Sequence, residues 1–279
     1  MPELPEVETV VRGLRKTIKG KIIKRVTLNN TPKSTILLGK SFGEKQFGKV
    51  LRNKTIKNIN RRGKNILIEL SNDLTLWAHL KMTGHFFFLD KKEPIDKHDL
   101  VIFDFRNDSK NLRFNDYRRF GRLRLFKNNE LWEQKGLKEL GEEPLEIPVE
   151  NFIKLFKNSK RMIKPALLDQ SFLAGLGNIY TDETLYQCKI HPKRITSTIS
   201  KKKLKELHAT IQKMLKFSIS KMGTSVDSFS SVNGKPGQYQ KYLKAYNNEG
   251  EPCQFCNRKI KREKIGSRSA HFCPRCQRL

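Results

Sequence analysis

No run of apolar residues in this chain is long enough to form a membrane-spanning helix. Acid is scarce as well: 28 Asp and Glu stand against 57 Lys and Arg, a formal net charge of +29. Such an imbalance excludes a cationic partner and points to a polyanion. Nucleic acid comes before an anionic membrane, because no lone basic amphipathic anchor is present. Cysteine is nearly absent outside one place. Cys253, Cys256, Cys273 and Cys276 crowd near the C-terminus, and Cys188 stands alone. A secretory signal is not expected either, since Glu3, Glu6 and Glu8 come early and no hydrophobic stretch follows. A cytoplasmic location is the expectation, and there paired C-x-x-C spacing argues for metal, not disulfides. Internal repeats are missing too.

What is present suffices for a real core. The 279 residues are 37% apolar with 17 Phe, enough for two domains or one large one. Val7, Val10, Val11, Leu14 and Ile18 follow helical spacing over Pro5–Lys19. Short segments rich in Ile, Leu, Phe and Val then predict strands at Ile22–Leu28, Lys49–Arg52, Asn65–Leu70, Thr75–Leu80, Phe86–Leu89, Leu100–Phe105, Leu112–Phe114 and Leu123–Phe126. Hairpin turns between them suggest an antiparallel sandwich or barrel. A linker is expected at 141–148. Helices follow at Val149–Lys157, Lys164–Asp169, Asn178–Cys188 and Lys201–Met222, then a polar loop over Gly223–Gln240. The fold class is α+β: an N-terminal helix and antiparallel sandwich over 1–140, a helical domain over 149–240, and a cysteine ribbon over 241–279.

The cysteine quartet, C-x2-C-x16-C-x2-C, carries chemistry by spacing alone. Four thiolates hold one Zn²⁺ tetrahedrally with no open position, so the site is structural. Arg258, Lys259, Lys261, Arg262, Lys264 and Arg268 lie between the pairs against a single Glu263, a charge pattern suited to gripping phosphates. Gly175-Leu176-Gly177-Asn178 leads into a helix whose first amides favour an anion. At the other end, removal of Met1 makes Pro2 the N-terminus. Its secondary amine, with a pKa of ~8, can attack a carbonyl-like carbon, and Glu3 beside it can move protons. On these residues alone the plainer alternative, that proline at position two only governs Met1 removal, stays open beside it.

These pieces together resemble bacterial formamidopyrimidine-DNA glycosylase. The resemblance rests on Pro2-Glu3-Leu4-Pro5-Glu6-Val7-Glu8-Thr9, Arg61-Arg62-Gly63-Lys64, Arg118-Arg119-Phe120-Gly121, Gly177-Asn178-Ile179-Tyr180, Gly234-Lys235-Pro236-Gly237 and the final four cysteines, in order along the chain. It implies a bifunctional DNA glycosylase and abasic-site lyase that excises 8-oxoguanine and formamidopyrimidines from duplex DNA. The helical domain is then expected to be a helix-two-turn-helix domain. Carried over position by position, Pro2 is the nucleophile at C1′ and Glu3 the acid–base group. Lys64 donates a proton and binds phosphate, and Arg268 supports phosphate binding and δ-elimination. Met82, Arg118 and Phe120 fill the void left by a flipped base. His98, Lys164 and Asn178 contact DNA, and Ser225–Tyr239 supplies a loop over the flipped purine. Damaged double-stranded DNA is the expected partner and a monomer the expected state, with a bacterial, nucleoid-associated setting.

Two positions depart from the family pattern. Tyr117 stands where proline usually precedes the paired arginines. Ser159 stands where a basic residue is usual, which makes Lys160 the substitute candidate. Two alternatives stay open: an endonuclease VIII-like enzyme for oxidised pyrimidines, and a non-enzymatic zinc-finger DNA-binding protein. The Pro-Glu-Leu-Pro-Glu start and the Gly-Lys-Pro-Gly loop favour the purine enzyme.

Overall fold

The computed structural model describes residues 1–29, 38, 44–226 and 229–279. The chain divides into two compact units: Met1–Lys138 with Lys221–Gln238, and Glu139–Ser220 with Tyr239–Leu279.

The first unit is a helix-buttressed sandwich. Helix α1 (Leu4–Ile18) buries Val7, Val10, Val11, Leu14 and Ile18, the stripe its sequence spacing requires. One sheet has the order β1-β6-β7-β5, from β1 (Ile23–Leu28), β5 (Gly84–Asp90), β6 (Asp99–Phe105) and β7 (Lys110–Asp116). The other has the order β2-β3-β4-β8, from β2 (Ile56–Arg62), β3 (Asn65–Leu70), β4 (Leu74–His79) and β8 (Arg122–Lys127). Every pairing is antiparallel. One hydrophobic core joins α1 to inward residues of both sheets, among them Ile59, Ile66, Leu76, Phe86, Phe103, Phe114 and Leu125. Two short helices, α3 (Asn128–Leu131) and α4 (Lys135–Lys138), follow β8.

Two expectations need correction here. The strand expected at Lys49–Arg52 is the end of helix α2 (Glu44–Leu51), whose Phe47 and Leu51 are buried at i, i+4 spacing. Strand β2 was not expected at all. Its register slips between Ile56 and Asn58, so Ile56 and Ile59 are both buried three positions apart and the period-2 signature is lost.

The second unit is helical with a small hairpin. Helices α5 (Val149–Lys157), α6 (Ile163–Leu168), α7 (Asn178–Gln187) and α8 (Lys201–Ser220) lie within two residues of the expected limits. Leu204, Leu207, Ile211 and Leu215 form the buried stripe of α8. Glu183 on α7 is buried, and burial pushes its carboxyl above the usual range. It accepts the N–H groups of Lys244, Ala245 and Tyr246 at 2.8–3.1 Å, which fixes the chain entering the ribbon. Strands β9 (Lys261–Ile265) and β10 (Arg268–Phe272) form the ribbon hairpin. Among the described residues, no helix is long and apolar enough to cross a membrane.

The sequence places the polar loop after α8 with the helical domain over 149–240, yet Lys221–Gln238 pack in the first unit. Gly223 permits this. Its φ is +77°, and an added Cβ would meet Glu6 Oε1 at 2.8 Å, so only glycine lets the backbone turn so close to α1.

Candidate active site and nucleic-acid interface

Pro2 and Glu3 are buried at the start of α1, where Glu3 is the N-cap. Glu6, in the first turn, accepts the Glu3 N–H through Oε2 at 2.8 Å, the reciprocal arrangement of a capping box. Its Oε1 accepts the Thr224 N–H at 2.7 Å. The N-terminal residues are therefore locked from two directions before any ligand arrives. Lys64 lies in the β2–β3 turn beside Gly63, which has φ +56°. The Arg61 guanidinium holds this hairpin to α1, pairing with Glu8 at 3.2 Å and donating to the Gly63 carbonyl at 3.0 Å. Arg15 adds a hydrogen bond to the Ile59 carbonyl at 2.6 Å.

The expected void-filling residues sit on two adjoining turns. Met82 is 44% exposed and Phe120 49%, so both large apolar side chains are left outside the core. Arg118 stacks its guanidinium over the Phe120 ring, 5.2 Å from the centroid. Buried Asp116 ties the turns together: it accepts the Thr83 hydroxyl, the Arg118 N–H at 3.2 Å and the Gly121 N–H at 2.6 Å. Each turn contains one non-glycine residue in the left-handed region, Lys81 at φ +56° and Arg119 at φ +58°. That strain persists because the surrounding bonds over-determine it.

His79 was not singled out from the sequence, and no local signal marks it. It ends β4, half-buried, among cations. Burial and the positive charges of Lys81, Lys64 and Arg122 push its pKa down to about 3. Its Nδ1 accepts the Lys81 N–H at 2.9 Å, so the neutral ring carries its proton on Nε2, a hydrogen-bond donor. His98 is half-buried, and its Nδ1 is buried without a hydrogen-bond partner.

In the second unit the expected residues separate into two groups. Asn178, first residue of α7, has its Oδ1 buried and unpartnered, and Lys160 is exposed in the turn between α5 and α6. Such atoms gain most from a ligand, since a buried polar atom without a partner costs about 1–3 kcal/mol. Lys164 differs. It is fully buried, its ammonium paired with Asp182 and donating to the Ser269 carbonyl at 2.6 Å. Asp182 also accepts the His271 backbone N–H at 2.9 Å. Lys164 thus braces α6 and α7 against β10, whose first residue is Arg268. Arg268 is exposed, directly after the Gly266-Ser267 turn of the hairpin.

The four cysteine sulfurs lie within 4.8 Å of one another. Cys256 and Cys273 Sγ are 3.5 Å apart, Cys253 and Cys276 Sγ 3.9 Å. Tetrahedral Zn–S bonds of about 2.3 Å require sulfur separations near ~3.8 Å, so the set fits one zinc ion. The Phe255 and Cys276 N–H groups and the Tyr186 hydroxyl lie 3.2–3.4 Å from cysteine sulfur, contacts that orient thiolates. Cys188 is elsewhere, its thiol pushed up to about 11 by burial, an inert small hydrophobe.

Comparison with known proteins agrees along the whole chain. Residues 1–123 match the formamidopyrimidine-DNA glycosylase N-terminal domain, 140–230 its H2TH domain, and 250–279 a zinc finger found in FPG and IleRS. Formamidopyrimidine-DNA glycosylase of Ligilactobacillus salivarius is 43% identical over 281 residues, covering 99% of both chains. That of Pediococcus pentosaceus is 42% identical over 285 residues, covering all of both. A Lactococcus lactis FPG mutant in complex with Fapy-dG containing DNA superposes with a TM-score of 0.90 at 35% identity, covering 100% of both chains. The Lactococcus lactis Fpg bound to abasic-site DNA gives 0.90 at 35% identity, covering 99% of this chain and 100% of that one. With its three domain matches in order and full-length relatives above 40% identity, the chain belongs to the formamidopyrimidine-DNA glycosylase family.

Proposed function

We propose that this protein excises oxidised purines, 8-oxoguanine and formamidopyrimidines, from duplex DNA and then cuts the backbone at the resulting abasic site. The observation that carries this reading is the pre-set N-terminus. Pro2 and Glu3 are buried together, and Glu6 holds the first turn through Glu3 and Thr224.

A base inside a duplex is out of reach, so the nucleotide has to be extruded at a cost of a few kcal/mol. Met82, Arg118 and Phe120 fill the gap and offset that cost. Once Met1 is removed, the Pro2 nitrogen attacks C1′ as the glycosidic bond breaks, and the base departs with the bonding pair and takes up a proton. Glu3 protonates the ring oxygen as the C1′–O4′ bond opens, leaving an iminium. The iminium acidifies the C2′ proton, whose loss expels the 3′ phosphate. A second elimination expels the 5′ phosphate. Lys64 and Arg268 bind phosphate oxygens during these steps, His98, Lys160 and Asn178 hold the strand, and Lys164 sets the position of β10. The zinc ion, when bound, supplies only a rigid support for the hairpin. The work is done on chromosomal DNA in the bacterial cytoplasm, by a monomer.

Borohydride trapping on an 8-oxoguanine duplex tests the proposal. A covalent adduct forms with protein lacking Met1 and is absent from Pro2→Gly, which still binds DNA. No adduct from the protein lacking Met1 would sink the enzyme reading. Excision of 8-oxoguanine in preference to thymine glycol supports the purine assignment, and the reverse preference overturns it.

A further inference from the structure

Arg122 and Arg124 stand out among the described arginines of the first unit because each has a buried Nε with no hydrogen-bond partner. They alternate along β8 with Leu123 and Leu125, which face the core, so both arginines stand on the opposite face of the sheet. Across the β4 pairing, His79 is opposite Arg122 and Trp77 opposite Arg124. The Nε atoms of both arginines are buried with no hydrogen-bond partner. Among the described residues, no carboxylate pairs with Arg122, Arg124 or Lys81. Arg113 in the same unit shows what a structural arginine looks like. It donates to Asn111, to Asp99 and to the carbonyls of Asp90, Glu93 and Pro94.

The unpaired cations also repel one another. Burial, then Arg122 and Arg124, holds the Lys81 ammonium below its usual range, and burial followed by Arg122 does the same to Arg124. Half-buried like charges without counter-ions destabilise a fold, so their arrangement makes sense once an anion arrives. Its identity follows from position. Lys81 immediately precedes Met82, and Arg122 follows Phe120 by two residues, so the cations flank both exposed turns. Their stems are about 6.8 Å apart along β8, a spacing that offers two separate donors along a strand-shaped anion.

We propose that Arg122 and Arg124, flanked by Lys81, form a phosphate-binding site on the outer face of the β4–β8 pair, taking the backbone of duplex DNA beside the Met82 and Phe120 turns. This rests on the DNA-repair reading and adds a contact surface to it. Each arginine carries a planar guanidinium whose terminal nitrogens match phosphate oxygens, and among the described residues no carboxylate competes for them.

The test is the salt dependence of binding to an undamaged duplex, between 50 and 200 mM KCl. Each phosphate contact contributes about 0.9 to the slope of log K against log salt. Arg122→Gln with Arg124→Gln should flatten it by about 1.8, whereas Arg122→Lys with Arg124→Lys keeps most of it. Exchange of two exposed lysines elsewhere in the unit, Lys57→Gln with Lys92→Gln, should leave the slope unchanged. Thermal unfolding without DNA should show the double glutamine variant as stable as the parent or more so. An unchanged slope in protein that still excises 8-oxoguanine overturns the inference and leaves the enzyme reading intact. A lower Tm with an unchanged slope, or stabilisation by sulfate without any slope change, also overturns it. Loss of excision by the parent protein refutes the enzyme reading without touching the slope.

Discussion

Glu6 and Thr224 are joined across 218 positions of sequence: the buried carboxylate of the first helical turn accepts the Thr224 N–H at 2.7 Å. The same carboxylate accepts the Glu3 N–H at 2.8 Å. One side chain therefore positions the proposed acid–base residue and anchors the start of the loop over 221–238. Val232 extends the contact by packing against Gly13 on α1, where any larger residue would clash.

Glu6→Ala removes the carboxylate that accepts two buried N–H groups, at about 1–3 kcal/mol each. The expected destabilisation is about 3 kcal/mol in urea unfolding. Amide exchange at Thr224 should quicken by more than the global change accounts for. Glu6→Gln keeps a single acceptor oxygen and should fall between.

Asp116 offers a separation of steps. Asp116→Ala removes the acceptor shared by Thr83, Arg118 and Gly121, so the Met82 and Phe120 turns lose their common anchor. Single-turnover excision of 8-oxoguanine should fall about tenfold or more, the cost of one lost charged hydrogen bond at 1.5–3 kcal/mol. Incision of a preformed abasic site, which has no base to replace, should fall less. Equal losses would assign Asp116 a purely structural part.

His79 predicts a pH dependence. Its folded pKa, about 3, lies below the ordinary 6.5, so the unfolded chain takes up a proton that the folded chain refuses. The stability linked to this group is present above pH 6.5 and is lost as pH falls toward 3. The slope is up to about 1.4 kcal/mol per pH unit, less where solvent reaches the half-buried ring. Denaturant titrations of the parent and His79→Gln at pH 4.5, 5.5 and 7 check this. The parent should lose more stability than the variant on acidification.

Metal removal should act on one element. One zinc per chain is expected on elemental analysis. Chelation under mild denaturation should release it and loosen the β9–β10 hairpin, because the cysteine quartet and the Cys253, Ile260 and Cys273 cluster hold its base, while Ile265, Ala270 and Phe272 and the Lys164–Asp182 brace still hold its strands. DNA affinity should fall at least about tenfold, with the near-ultraviolet signal of Trp77 in the first unit retained.

The local chemistry was legible in the chain itself. Cysteine spacing specified a closed zinc site, the charge excess specified a polyanion, and helical spacing specified α1, α5, α7 and α8 within two residues. Those signals are periodic or local, and they need no partner to be read. What failed was whatever depends on a partner strand or a distant turn. β2 hid behind its register slip, and α2 showed only its last residues as an apolar run. Tertiary structure alone decided that 221–238 returns to α1, because a glycine at φ +77° and a carboxylate at position 6 carry no mutual signal in sequence. It alone gathered His79, Arg122 and Arg124 on one sheet face beside Lys81 in the adjoining turn, since antiparallel pairing sets residues more than forty positions apart side by side. It also buried Lys164, a lysine that any charge count places on the surface, because Asp182 and the Ser269 carbonyl offset its desolvation.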